Sequence, residues 1–318
     1  MNKIPCLIVV LLFFNISNCQ YKQVIETRDI EHFWNAFDQL QFAANKQDSI
    51  TIIQTQYIEK ATELFKEFIK VRNFTAEEYI SLISQYPKFW HSIRKETEQI
   101  KYRKEDVEHI LDQYEKEITN FKRPNVCFAI GCLRTGGTIS DNLILIGTEI
   151  AASTPETEKS ELSQWLKSVM GTFGDIVSMV SHETIHTQQQ GQLRNLAEHS
   201  ISEGVADFLS EKICSLTINK TSFKYGVAND CSLKKEFVAD YYQNKFDLSN
   251  WLYNGNKSKN RPADLGYYIG YRIAQEYYNK TENKKKAISY LLHRKNYKKL
   301  FKKSEYLKIN CDEPNSAF

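Results

Sequence analysis

Residues 182–186 read His-Glu-Thr-Ile-His, and that spacing has coordinating meaning only if the chain is helical there. On a helix, residues four apart lie one turn apart on the same side, so the His182 and His186 imidazoles can converge on one point with Glu183 beside it. The flanking sequence predicts such a helix. From Asp175 onward, Ile176, Val177, Val180 and Ile185 form an apolar stripe with no proline, Gly174 and Asp175 supply a start, and Gly191 supplies a stop. Two imidazoles in this relation are ligands for one ion, zinc first, and Glu183 stands where a general base would.

A catalytic zinc takes three protein ligands and keeps a fourth position for water. A metzincin would need Gly and His where Gln189 and Gln192 stand, so that pattern fails. The gluzincin pattern puts a Glu on the next helix, folded back on the first, and Leu196–Glu211 reads as that helix, with Glu203 as ligand. Asp207, one turn later, is placed to accept a hydrogen bond from the outer ring nitrogen of a ligating histidine. His199, one turn before Glu203, is the rival ligand or a supporting group.

Residues 1–18 carry Lys3, an apolar run from Ile4 to Phe14 and a polar exit before Cys19. This is signal-peptide texture, too short for a permanent span. Ile16-Ser17-Asn18-Cys19 is similar to a loose bacterial lipobox, with Asn18 as the departure, so acylation at Cys19 as the mature N-terminus is expected ahead of simple secretion or an uncleaved anchor. Each of these exports the rest of the chain, and the first ties it to the membrane of the cell envelope. Of the later cysteines (Cys127, Cys132, Cys214, Cys231, Cys311), Cys214 and Cys231 could bridge, or the thiols could be buried and free. No Cys-x-x-Cys pair suggests a structural zinc ribbon.

The formal charge of +3, or +2 without Lys3, points to no nucleic-acid partner. Lys284–Lys286 and Lys302-Lys303 read first as solvated helix faces and second as contacts for an anionic membrane. Residues 20–318 contain no linker or repeat and read as a single domain. Its first part is helical, with amphipathic stretches at 29–44, 48–70, 75–85 and 103–119, and Trp34 and Trp90 belong to a core. Between Arg123 and Ala151 two short apolar runs, from Val126 and from Leu143, read as strands joined by a glycine turn at Thr135–Thr138. The expected class is therefore α+β, predominantly α, with a small β-sheet preceding the HExxH helix. That sheet could present an edge to an extended peptide or merely cover the core.

Taken in order, Asp29–Asp38, Phe128–Gly131, Gly136–Thr138, Ile146–Glu149, His182–Gln189, Ser202–Phe208 and Leu265–Arg272 resemble a zinc-dependent protease family of otherwise undefined function that includes gliding-motility-associated lipoproteins of Bacteroidetes. The resemblance covers most of residues 20–318. It implies a zincin-like metallopeptidase with one zinc ion on His182, His186 and Glu203 and a peptide or protein substrate.

In such a site the ion acidifies its water and polarises the scissile carbonyl, while Glu183 takes the proton and later delivers it to the leaving amine. The developing oxyanion needs a donor, for which Tyr271 is preferred and then Tyr267, on a helix over 266–272. The alternative is a surface or periplasmic lipoprotein of a motility or assembly machine whose zinc site is structural or vestigial.

Overall fold

The computed structural model describes residues 24–170, 176–216, 219–255, 258 and 260–308. The signal segment, Cys19, the start of the HExxH helix at Gly174-Asp175, and Cys311 lie outside them. A short strand β1 (Ile25–Glu26) leads into helices α1 (Arg28–Gln39), α2 (Lys46–Ile53), α3 (Glu63–Arg72), α4 (Ala76–Gln85), α5 (Pro87–Glu98) and α6 (Lys104–Glu117). Strands β2 (Asn125–Ala129), β3 (Gly137–Ser140) and β4 (Leu143–Gly147) follow. The remaining helices are α7 (Thr148–Ala151), α8 (Gln164–Val169), α9 (Ile176–Gln188), α10 (Leu196–Cys214), α11 (Lys220–Ala228), α12 (Asp230–Asn244), α13 (Leu265–Lys280), α14 (Lys284–Leu291) and α15 (Tyr297–Lys303). The architecture is α+β and mostly helical, with a four-stranded sheet. Among the described residues no helix is long and apolar enough to cross a membrane.

The sheet order is β1-β2-β4-β3. β2 runs parallel to β1 and β4, with Val126 opposite Ile25 and Ile144, and β3 runs antiparallel to β4, with Thr138 opposite Leu145. β4 is buried along its whole length, and β2 from Val126 onward, which explains why both read as unbroken apolar runs. β3 is the half-buried edge strand. Here the structure corrects the sequence reading: Gly137 and Thr138 belong to the strand, and the reversal falls at Asp141, whose φ of +48° marks the turn. Its polar Thr138 and Ser140 hide a strand that is only half covered.

A second correction concerns 48–70. It breaks into α2, a π-helical turn at Gln54–Ile58 and α3, because Thr62 caps α3 and is itself held by buried Asp29, to which its N–H and Oγ1 donate at 2.9 and 2.5 Å. Of the two alternatives for the cysteines, the free thiol holds for Cys214: it is free, as are Cys127 and Cys132, whereas Cys231 is disulfide-bonded, so the two do not bridge each other.

The apolar interior falls into two clusters. The first gathers Phe33, Trp34, Tyr57, Phe65, Tyr79 and Trp90 with the sheet. The Tyr57 and Tyr79 hydroxyls both donate to the Ile130 carbonyl, at 2.6 and 2.7 Å. Just beyond, the buried Glu149 carboxylate accepts the N–H groups of Gly131 and Leu133 at 2.7 and 3.0 Å, fixing the loop that leads to β3.

The second cluster gathers Ile201, Val205, Phe237, Trp251, Tyr268 and Tyr297. There α10 and α13 meet backbone to backbone: a Cβ on Gly270 would stand 1.7 Å from the Ser200 carbonyl oxygen, and one on Gly204 would stand 2.0 Å from the Tyr271 nitrogen. Helix α9 belongs to both clusters, giving Ile176, Val177, Met179 and Val180 to the first and Ile185 to the second.

Candidate metal centre

Helix α9 carries His182 and His186 across the seam between the clusters. Gly191, at φ +105°, lets the chain reverse beyond its end. Asn195 then starts α10, its side chain accepting the Glu198 N–H at 3.1 Å, and α10 packs against α9. Among the described residues, one group of His, Cys, Asp or Glu could hold a metal ion: His182, His186 and Glu203. His186 Nε2 stands 2.9 Å from His182 Nε2 and 3.1 Å from Glu203 Oε2, and His182 Nε2 is 3.3 Å from the same oxygen.

The supporting bonds say which atoms face inward. His182 Nδ1 donates to Asp207 Oδ1 at 2.8 Å, and Asp207 Oδ2 in turn accepts from Asn219 at 2.9 Å. His186 Nδ1 donates to Gln189 Oε1 at 2.9 Å. The orientation of Gln189 is set by its own amide, which donates to the Ser202 carbonyl at 2.8 Å, while Ser202 Oγ and Arg294 also donate to Oε1. With both outer nitrogens carrying protons, both Nε2 lone pairs point at a carboxylate oxygen.

Three acceptors converging without a donor repel one another, so the set calls for a cation. A tetrahedral zinc with bonds of about 2.0–2.1 Å separates its ligand atoms by roughly 3.3 Å, close to the spacing found. Without an ion, protons take its place. Burial pushes the His182 imidazole down, but Asp207 and Glu203 outweigh it and hold it well above its usual value. Burial raises the Glu203 carboxyl, and the two histidines outweigh that and hold it well below the carboxylate range.

Glu183 lies beside this group and forms no ion pair or side-chain hydrogen bond among the described residues. Burial raises its carboxyl above the usual value, against the pull of His186, His182 and Arg72. Strand β3 leans directly on it: a Cβ on Gly137 would meet Glu183 Oε1 at 2.7 Å and Met179 Sδ at 3.0 Å. Around these groups opens a cavity of about 520 Å³, walled by Thr135–Ile139 on one side and by Leu193, His199 and Arg294 among others.

The remaining candidates separate. His199 lines the cavity but stands outside the candidate ligand group, half-buried, with its Nδ1 unpartnered among the described residues and its ring 6.5 Å from that of Tyr253. Tyr267 lines the cavity and stacks on His182 with ring centroids 6.1 Å apart. Tyr271, the preferred donor from the sequence, does not reach it. It sits one turn further along α13, packed against Phe208 and Phe223.

Sequence reasoning missed two residues. In the sequence Gln189 signals only a departure from the metzincin pattern, although its place three residues after His186 puts it within reach of that ring. Tyr253 donates to Glu203 Oε1 at 2.8 Å from a loop position with φ +54°, which no spacing could signal.

Fold and site together define a mostly helical α+β protein with a HExxH helix and a third candidate ligand, a carboxylate, on the helix that follows. Residues 18–308 match the family described as Gliding motility protein GldB, and the chain belongs to that family of gliding-motility lipoproteins of Bacteroidetes. No curated protein and no solved structure matches it.

Proposed function

We propose that the chain serves a gliding-motility machine as an envelope-anchored lipoprotein that holds one zinc ion on His182, His186 and Glu203. The family match over residues 18–308 carries the motility part of this reading, and it supports anchoring through Cys19. The ion fits the donor set described above, in which Asp207 and Gln189 orient the two imidazoles and Tyr253 steadies the free oxygen of Glu203. In such a role the ion ties α9 to α10, and the cleft is a docking place within the assembly.

A second reading, that the site hydrolyses peptide bonds, is favoured by one observation: Glu183 faces an open cleft and stands outside the candidate ligand group among the described residues. A purely structural site is closed and has no use for such a group. When bound, the ion would supply Lewis acidity toward a carbonyl and a water of lowered pKa. Glu183, its carboxyl raised by burial, is suited to take a proton and return it to a leaving amine. Tyr267, beside His182, is the better placed donor for an oxyanion, and the free edge of β3 can pair with an extended peptide.

Complementation of a strain lacking this chain separates the readings. Both predict that His186→Ala fails to restore gliding. The lipoprotein reading expects Glu183→Gln to restore it, with zinc retained by the purified variant. The peptidase reading expects Glu183→Gln to fail, and expects wild-type chain to cut an unstructured protein while the variant does not. Purified wild-type chain without stoichiometric zinc would overturn both.

A further inference from the structure

Two arginines that pair with no carboxylate among the described residues face the cleft, and they are held very differently. Arg294 is committed through both Nη groups, although its Nε, like that of Arg72, is buried without a partner among the described residues: Nη1 donates to the Gly191 carbonyl at 3.0 Å and Nη2 to Gln189 Oε1 at 3.1 Å, so it braces the group that orients His186. Arg72, the last residue of α3, is not. Among the described residues its side chain makes one long hydrogen bond, Nη2 to Thr135 Oγ1 at 3.3 Å, and its buried Nε has no partner.

The neighbouring Arg134 does not share that condition, because its charge is met by Glu78 and its Nη1 donates to the Arg72 carbonyl at 2.6 Å. The acid that faces Arg72 from α9 is Glu183, which attracts it from beyond ion-pair distance. A half-buried guanidinium with an idle N–H is costly to keep, and its planar fork suits a carboxylate bound through two parallel hydrogen bonds. Thr135 places it at the start of edge strand β3, where a chain laid along that strand begins or ends.

We infer that Arg72 makes the cleft selective for a peptide bearing a carboxylate, on an Asp or Glu side chain or at the C-terminus. The inference rests on reading the cleft as a place where a peptide lies, and it holds whether or not the peptide is cut. A carboxylate met by a partly buried guanidinium is worth about tenfold or more in affinity.

The test uses the full chain with Glu183→Gln, loaded with zinc, and decapeptides of Gly, Ser and Ala carrying an uncharged, carboxylate-free fluorophore. One carries a central Glu with an amidated C-terminus, one has only a free C-terminal carboxylate, one is neutral and amidated, and one carries a central Lys. Anisotropy titration should show one of the two carboxylate peptides binding at least tenfold tighter than the neutral and Lys peptides, and which one it is tells side chain from terminus.

Adding Arg72→Gln should erase that difference, Arg72→Lys should keep only part of it, and raising NaCl from 0.05 to 0.5 M should shrink it without any substitution at Arg72. Equal affinity for all four peptides, measurable or not, overturns the inference, as does a preference that survives Arg72→Gln. Wild-type chain that prefers carboxylate peptides but cuts none would instead remove the peptidase reading and leave this one standing. Wild-type chain that cuts all four alike would do the reverse.

Discussion

Around Phe33 the molecule is held by rings, whereas between α10 and α13 it is held by bare backbone. Phe33 meets Trp34 and Tyr57 edge to face, with centroids 4.9 and 5.2 Å apart. In the second core the equivalent contact is a carbonyl oxygen against a glycine. The difference concerns tolerance and placement. Rings can shift and refill, so they make a stable but forgiving wall. Two backbones in contact have no side chain to give way, so α13 fixes the depth and rotation of α10, and with them Glu203 and Asp207. The candidate ligand group takes its precision from the second core, while the first supplies the surroundings of Glu183 through β3 and the start of α9.

Four substitutions test the contrast between the two cores. The largest effect is expected at the glycine crossing. Gly270→Ala should cost about 5 kcal/mol or more, at the extreme of single substitutions, because neither helix can retreat without moving the site. Chemical denaturation checks it, and a loss under about 1 kcal/mol would show that the crossing is looser than described. Next, Phe33→Ala should cost about 3–5 kcal/mol as a large core truncation. Isothermal titration should nonetheless find zinc affinity of the folded chain within twofold of wild type. A large drop there would mean that the first core also sets the ligands.

Third, Glu149 gives the first core a pH signature. Burial outweighs its two N–H bonds and raises its carboxyl to about 7. The unfolded chain releases this proton near the ordinary value, so the folded state holds an extra proton between there and about 7, and stability falls as pH rises through that window. The full span is roughly 3 kcal/mol. Urea midpoints at pH 5 and 8 should show the fall in wild type and a smaller one in Glu149→Gln, which cannot ionise. Equal slopes would remove Glu149 as the cause. Last and smallest, Gln189→Ala should weaken zinc retention about 10- to 100-fold in chelator competition, with little change in melting temperature, since it only orients His186.

Much of the site was legible because it is local. His182 with His186, and Glu203 with Asp207, are each one turn apart, and helical spacing alone aligns them. The same spacing chose the correct side of α13 for a tyrosine but the wrong level, since Tyr267 stands beside His182 and Tyr271 one turn on beside Phe208. Periodicity reports rotation about an axis, and the register along that axis was set by Gly270 against Ser200, a contact seventy residues apart. Tyr253 and Arg72 arrive from a loop and a helix end far away in sequence, so nothing near the motif announces them. The first half of β3, Gly137-Thr138, reads as part of a glycine turn because a half-solvated edge strand of Gly, Thr, Ile and Ser is too short and polar to show the apolar alternation that identifies a strand.

The sharing of α9 bears on how the protein comes apart. A helix whose first half is gripped by one cluster and whose second half is gripped by the other cannot be released by either alone without straining its hydrogen-bond ladder. Heat should therefore melt both halves in one calorimetric transition, and the chain should not divide into separately folding fragments on either side of residue 181.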